Sequence, residues 1–309
     1  MRVVPIGNAF GRGTGWLPVK ATTTNHRLET SFESPAGGWY RLELRSEGGN
    51  PSFGAVEPVG VGDLFLVAGQ SYAANTGDER LRIEDPEGRV VAYDPRTNTW
   101  DVANDPQPNP SGSDGGTMWP AAMNSLVPLA RVPIGMVNVA IGGTAIREWL
   151  PGVTIQRVQD GPRYRPYEDL VAAGKALGRF RAVLWQQGES DVIENTPAGV
   201  YEERLSSIAE VSAREWSFRP LWLLAKSTSH PTVYNKPQQE AAIREAIDRL
   251  SRQAGFAPGP DTDILGEVGL YRGGIGSRRH FAGPGQRAAG LLWFAALWNA
   301  LYRESTPDR

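Results

Sequence analysis

Several places in this 309-residue chain put a chemically capable side chain just after an apolar run. The first is Ala68-Gly69-Gln70-Ser71-Tyr72, which ends the run from Asp63 to Ala68. A serine directly after a buried strand and a glycine stands at the ligand edge of a parallel sheet. There its hydroxyl either faces a substrate or caps the helix that follows. The second is Ile141-Gly142-Gly143-Thr144, after the run from Ile134 to Ala140. Paired glycines let backbone N–H groups approach an oxygen that gains negative charge, and they equally serve a tight turn. The third is Trp185-Gln186-Gln187-Gly188-Glu189-Ser190-Asp191, at the end of Arg181 to Gln186. An amide at that place can donate to the same oxygen. Glu189 and Asp191 offer acid–base or metal-ligating groups, and Asp191 better fits hydrogen bonding to loop backbone. Neutral-pH proton transfer falls to His26, His230 or His280, the only histidines. His230 follows the run from Pro220 to Ala225, in Ser227-Thr228-Ser229-His230-Pro231. His280 lies between the last expected strand and the last helix, within reach of the same sheet edge.

The elements that must position these groups alternate. Besides those four runs, Asp263 to Val268 reads as a fifth, weaker strand. Apolar residues at helical spacing fill Tyr167 to Phe180, Ala198 to Trp216, Pro237 to Gln253 and Pro284 to Leu301. Strands alternating with helices predict a parallel sheet covered on both faces, with ligands beyond the carboxyl ends of its strands. The last helix, with Leu291, Leu292, Trp293, Phe294, Leu297, Trp298 and Leu301, packs on the sheet or meets another copy. Residues 1–59 show no helical pattern. They read as a small β module, with Trp39 to Arg45 alternating, packed on a main domain of residues 60–309. Asp78 to Trp119 reads as a long polar loop rich in Pro, Gly and Asn, functional or disordered.

Composition removes whole classes. Lys and Arg number 32 against 34 Asp and Glu, so no charge excess argues for nucleic acid or a membrane surface. There is no cysteine, which excludes disulfides and thiolate chemistry. Met1 to Lys20 lacks the apolar stretch and cleavage pattern of a signal peptide. Ala288 to Leu301 is too short to span a bilayer.

Together, Gly69-Gln70-Ser71, Gly142-Gly143-Thr144, Gln187-Gly188-Glu189-Ser190-Asp191 and His280 resemble the sialate O-acetylesterase-like branch of the SGNH hydrolases, over roughly residues 60 to 300. The resemblance implies a flavodoxin-like three-layer α/β/α fold and hydrolysis of O-acetyl esters on a carbohydrate. It implies Ser71 as nucleophile and His280 as base. It implies an oxyanion hole from the Ser71 and Gly142 N–H groups and the Gln187 side chain. It implies no metal or organic cofactor.

Two positions depart from the family pattern. Tyr72 replaces an asparagine, and Ser277 stands where an aspartate three residues before the histidine is usual. A carboxylate there orients the imidazole. Ser277 supplies no charge, and Glu189, Asp261 or Asp263 are the other candidates to orient His280. Tyr72, Trp119, Arg147, Trp149 and His230 are candidate substrate-lining residues, since aromatic faces suit sugar rings. The competing readings are a lipase or thioesterase of the same superfamily and a carbohydrate-binding pseudoenzyme.

Overall fold

The computed structural model describes residues 1–25, 27–46, 53–273 and 280–303. The N-terminal region forms β1 (Arg2–Pro5), β2 (Ala21–Thr24), β3 (Arg27–Thr30), β4 (Trp39–Arg45) and β5 (Phe53–Gly60). An antiparallel sheet has the order β1-β4-β5, and β2 pairs with β3 as a separate hairpin. Phe10 packs this region against the main apolar core. Trp39 Nε1 donates to the Glu87 carbonyl at 3.0 Å, and the Arg89 guanidinium lies 3.9 Å from the Phe10 ring centroid.

The main sheet then begins with β6 (Asp63–Gly69), β7 (Val90–Asp94) and β8 (Thr99–Val102). After α1 (Trp119–Ala130) come β9 (Ile134–Asn138), the short hairpin β10 (Ile155–Gln156) and β11 (Arg163–Tyr164), and α2 (Pro166–Leu177). The chain continues through β12 (Ala182–Gln186), α3 (Glu189–Glu194), α4 (Ala198–Trp216), β13 (Leu221–Lys226), α5 (Pro237–Leu250) and β14 (Phe256–Asp261). A pair, β15 (Arg272–Gly273) and β16 (His280–Phe281), leads into α6 (Gly283–Leu301).

Seven strands pair in the order β14-β13-β12-β6-β9-β7-β8, all parallel except β8. One apolar core packs α1 and α6 on one face, around Phe65, Trp119, Met123, Leu184 and Trp293. The other packs α2, α4 and α5 on the opposite face, around Leu66, Trp185, Tyr201, Trp222 and Ile247. The expected three-layer α/β/α arrangement is therefore formed. The central strands are buried on both faces, which is why they read as continuous apolar runs. The chain leaves β6 toward β9 and later returns to its other side at β12. This switch point opens a crevice beside β6, where a parallel sheet takes its ligands.

The fold differs from the sequence expectation in three places. The weak fifth strand at Asp263 to Val268 is a turn region, and the edge strand is β14 instead. Pro258 and Pro260 disguise β14, yet an edge strand tolerates proline because one side of its backbone is not paired. The stretch from Asp78 to Trp119 is ordered, and β7 and β8 extend the sheet from within it. Helix α1 carries Pro120 at its start and Pro128 inside it, which hides its periodicity. Among the described residues no helix is long and apolar enough to cross a membrane.

Candidate active site

Gly69 ends β6 at φ +131°, in the region that favours glycine. A β-carbon there would stand 2.0 Å from the Gln186 carbonyl oxygen. The bare backbone lets β6 and β12 stay paired to their ends, and the Gln70 N–H donates to that same carbonyl at 2.9 Å. Ser71 follows as the chain turns out of the sheet and is 7% exposed. Gln70 points inward, and its Oε1 accepts the N–H of Ser190 at 3.2 Å and of Gly188 at 3.4 Å. The β6 and β12 turns are thus tied directly beneath Ser71.

On the other side, the Ile141 N–H donates to the Gly69 carbonyl at 3.0 Å, which brings the Gly142-Gly143 turn to Ser71. A β-carbon on Gly142 would lie 3.8 Å from that of Ser71. Gly143 has φ +69°. Thr144 closes the turn, its hydroxyl donating to the Ile141 carbonyl at 2.8 Å.

The amide of Gln187 is engaged inside the protein. Its Nε2 donates to Asp191 Oδ2 at 2.6 Å and the Thr144 carbonyl at 2.9 Å, and the residue is wholly buried. Both amide hydrogens therefore have acceptors, so the outward-facing donor expected from sequence becomes a brace for the glycine turn. Asp191 also accepts the Ile146 N–H at 2.8 Å, which is the loop-holding role expected of it.

Glu189 is wholly buried and accepts from the Ser227 hydroxyl at 2.6 Å. Burial pushes its carboxyl up to about 8. Burial of this kind disfavours the charged form of a carboxyl. Asp261 and Asp263 both pair with Arg244. Asp263 also accepts the N–H groups of Thr228 at 2.8 Å and Ser229 at 3.0 Å, which fixes the loop carrying His230. Ser277 lies outside the described residues.

His280 is half-buried and sits edge-on to Tyr72, the neighbour of Ser71, with ring centroids 5.4 Å apart. His230 lies 6.5 Å from His280, and its Nδ1 is 3.5 Å from the Tyr72 hydroxyl. Tyr72 is only 3% exposed, and burial keeps its phenol neutral by raising its pKa. The guanidinium of Arg272 lies 4.4 Å from the ring centroids of both Tyr72 and Phe281. Tyr72 thus forms the floor under His280, packed from below by a buried cation that the sequence reading did not single out.

The two tryptophans expected to line a substrate surface do not reach solvent. Trp119 is wholly buried, its Nε1 donating to the Ala73 carbonyl at 3.0 Å. Trp149 is wholly buried against Trp185, its Nε1 donating to the Thr144 hydroxyl at 3.0 Å. Both serve the framework, because their rings have more apolar area than an exposed turn could leave in water. Arg147 is at the surface, with its fork taken by Glu194 at 2.8 Å. Among the described residues no cluster of three His, Asp or Glu side chains suits a metal ion.

The family model for carbohydrate esterases, described as sialic acid-specific acetylesterase, matches residues 61–252. The chain belongs to this family. The match to this carbohydrate esterase family spans the turns after β6, β9 and β12. A probable carbohydrate esterase of Arabidopsis thaliana is 26% identical over 174 residues, 49% of this chain and 63% of that protein. The chain thus spans less than two thirds of that relative's length. A crystal structure of an Arabidopsis thaliana protein superposes with a TM-score of 0.56 at 20% identity, over 77% of this chain and 98% of that one. The structure of a carbohydrate acetylesterase from Xanthomonas citri superposes with a TM-score of 0.57 at 18% identity, over 97% of this chain and 70% of that one. These two likenesses establish the shared fold.

Proposed function

We propose that this chain is a serine esterase that removes O-acetyl groups from a carbohydrate, a sialate or another acetylated sugar, through an acyl-enzyme. The observation that carries this reading is the open face of Gly142, where a β-carbon would meet only that of Ser71, at 3.8 Å, with His280 packed on the adjoining Tyr72. In this reading His280 takes the Ser71 proton as Oγ attacks the acetyl carbonyl. The negative oxygen is held by the backbone N–H groups of Ser71 and Gly142, and Gln187 and Asp191 keep that turn in place. His280 passes the proton to the departing sugar hydroxyl. It then takes a proton from water as the water oxygen attacks the acetyl carbonyl, and gives that proton to Ser71 Oγ as the bond to Oγ breaks and acetate leaves.

The membership in a carbohydrate esterase family supports the substrate class. Residues 60–309 are the esterase domain in this reading, and residues 1–59 a small β module packed on it. The likeness to the Xanthomonas citri acetylesterase, which extends over 97% of the chain, favours the module as part of the enzyme.

Acetate release from phenyl acetate tests the nucleophile. Ser71→Ala is expected to lower turnover by roughly three orders of magnitude or more. Undiminished release would eliminate Ser71.

A further inference from the structure

Tyr72 follows Ser71 directly in the chain, and its ring meets His280. The two ring centroids are 5.4 Å apart and the ring planes stand at 74°. The backbone that carries Ser71 and Tyr72 is fixed in a tight turn. The Ala73 N–H donates to the Gln70 carbonyl at 2.9 Å. The Ser71 carbonyl accepts the Ala74 N–H at 3.0 Å and the Thr76 hydroxyl at 2.6 Å.

The side chain of Tyr72 is held as firmly as its backbone. The residue is 3% exposed, and Phe281 lies against it with centroids 4.7 Å apart. The Arg272 guanidinium lies 4.4 Å from the centroids of both rings. Arg272 is itself buried, its Nε and Nη2 donating to the carbonyls of Leu265 at 2.6 Å and Thr262 at 3.1 Å. Strand pairing sets Arg272 across from Phe281 and Gly273 across from His280. One short ladder thus carries both His280 and the cation that backs the Tyr72 ring. The Tyr72 hydroxyl is 3.5 Å from His230 Nδ1, at the outer limit of a hydrogen bond. The ring, rather than the hydroxyl, is what meets His280.

We propose that Tyr72 is a positioning residue of the reaction, whose ring sets the place and tilt of the His280 imidazole relative to Ser71. Aromatic rings favour such an edge-on arrangement, and a side chain packed on a fixed ring loses the rotamers that would swing it away. Because Tyr72 adjoins Ser71 in the chain, the imidazole is placed from the nucleophile's own turn. A misplacement of about 1 Å can cost a factor of roughly 100 in rate. This inference rests on the esterase reading, in which His280 is the base.

The test is a double-mutant cycle read by the turnover of phenyl acetate. Tyr72→Leu removes the ring and keeps an apolar side chain. It is expected to lower kcat roughly 10- to 100-fold while KM stays within about threefold. Tyr72→Phe keeps the ring and should hold kcat within about threefold of the parent. In a His280→Ala background there is no imidazole to place, so Tyr72→Leu should lower the residual kcat no further. A merely structural role would lower kcat in both backgrounds alike. Tyr72→Met, with an unbranched side chain that fills irregular space, takes the place of the Leu variant should that one not fold. Parental kcat in Tyr72→Leu, a Phe variant as impaired as the Leu variant, or an equal fall in the His280→Ala background overturns the proposal alone. Full turnover by Ser71→Ala or by His280→Ala is a different result, which overturns the esterase reading and this inference with it.

Discussion

Gly69 and Gln186 meet backbone to backbone: a β-carbon on Gly69 would stand 2.0 Å from the Gln186 carbonyl oxygen. The contact joins the last residues of two central strands, and Ser71 leaves the sheet from this junction. Gly69→Ala faces both this collision and a φ of +131°. The obstacle is backbone, so no side-chain rotation relieves it. The expected loss of stability is at least ~4 kcal/mol, enough to unfold many domains. Urea unfolding of the purified variant checks this, and a midpoint near that of the parent protein would contradict it.

Gly142 makes the opposite prediction. Its backbone is not in the left-handed region, and a β-carbon would meet Ser71 at 3.8 Å, an ordinary contact. Gly142→Ala should leave stability within about 1 kcal/mol of the parent. Its methyl group would nevertheless intrude on the space where the proposed mechanism puts the acyl group. Turnover of phenyl acetate is expected to fall about tenfold or more, and Gly142→Val further. Equal rates in all three proteins would show that the ester does not bind against this turn.

Glu189 ties stability to pH. The ordinary carboxyl titrates near 4.5, and burial raises this one to about 8. Between these values the folded state holds a proton that the unfolded chain has released. Stability therefore declines as pH rises through that window and levels off above it. Asp105, pushed up to about 7, and Asp191, also raised by burial, act in the same direction. The readout is thus the difference between two proteins. Glu189→Gln, which resembles the protonated form, should show a shallower fall in Tm from pH 5 to pH 8 than the parent. Parallel curves would mean that Glu189 is ionised when folded.

Much of this arrangement was legible in the sequence because it depends on local chemistry. The central strands announce themselves by continuous apolar runs, and Ser71, Gly142 and His280 by their places after strands or before the last helix. What stayed hidden depends on contacts distant in sequence. Nothing local shows that Asp191 captures the Gln187 amide, or that Glu189 is wholly buried. Trp119 and Trp149 looked like surface aromatics because they adjoin polar segments, yet each ring folds under its turn. Arg272 reaches Tyr72 from β15, which periodicity does not place. Prolines, which argue against regular structure in a linear reading, concealed β14 and α1.

Trp149 separates a framework role from a sugar-binding one. Its indole is wholly buried, stands edge-on to Trp185 with centroids 5.0 Å apart, and donates to Thr144 in the glycine turn. Trp149→Ala is expected to cost roughly 3–5 kcal/mol of stability from the cavity it leaves. A ring that only stacked on substrate would instead raise KM with little change in unfolding. Thermal unfolding alongside KM for an acetylated sugar tells the two apart.

Asn109 shows what the polar stretch before α1 does for the site. Its Nδ2 donates to Asn138 Oδ1 at 3.0 Å and to the Ala140 carbonyl at 2.9 Å. Ala140 lies two residues before Gly142. Asn138 in turn donates to the Ala73 carbonyl at 2.8 Å, two residues after Ser71. Asn109 therefore joins the long segment to both turns at once. The same segment is fixed at its ends by Gln286, whose Nε2 donates to the carbonyls of Glu79 at 2.8 Å and Thr117 at 2.9 Å. Asn109→Ala leaves the Gln286 clamps in place and the Ala140 N–H still on Asn138 Oδ1, but takes the Asn109 donor from the buried Ala140 carbonyl, at a cost of about 1–3 kcal/mol. If the proposed mechanism holds, the released turn also lowers kcat more than it raises KM, since in that mechanism its backbone donors matter most when the oxygen is charged. Limited proteolysis is expected to cut between residues 80 and 116 sooner than in the parent, and wild-type resistance together with unaltered kcat would show that the segment does not support the site.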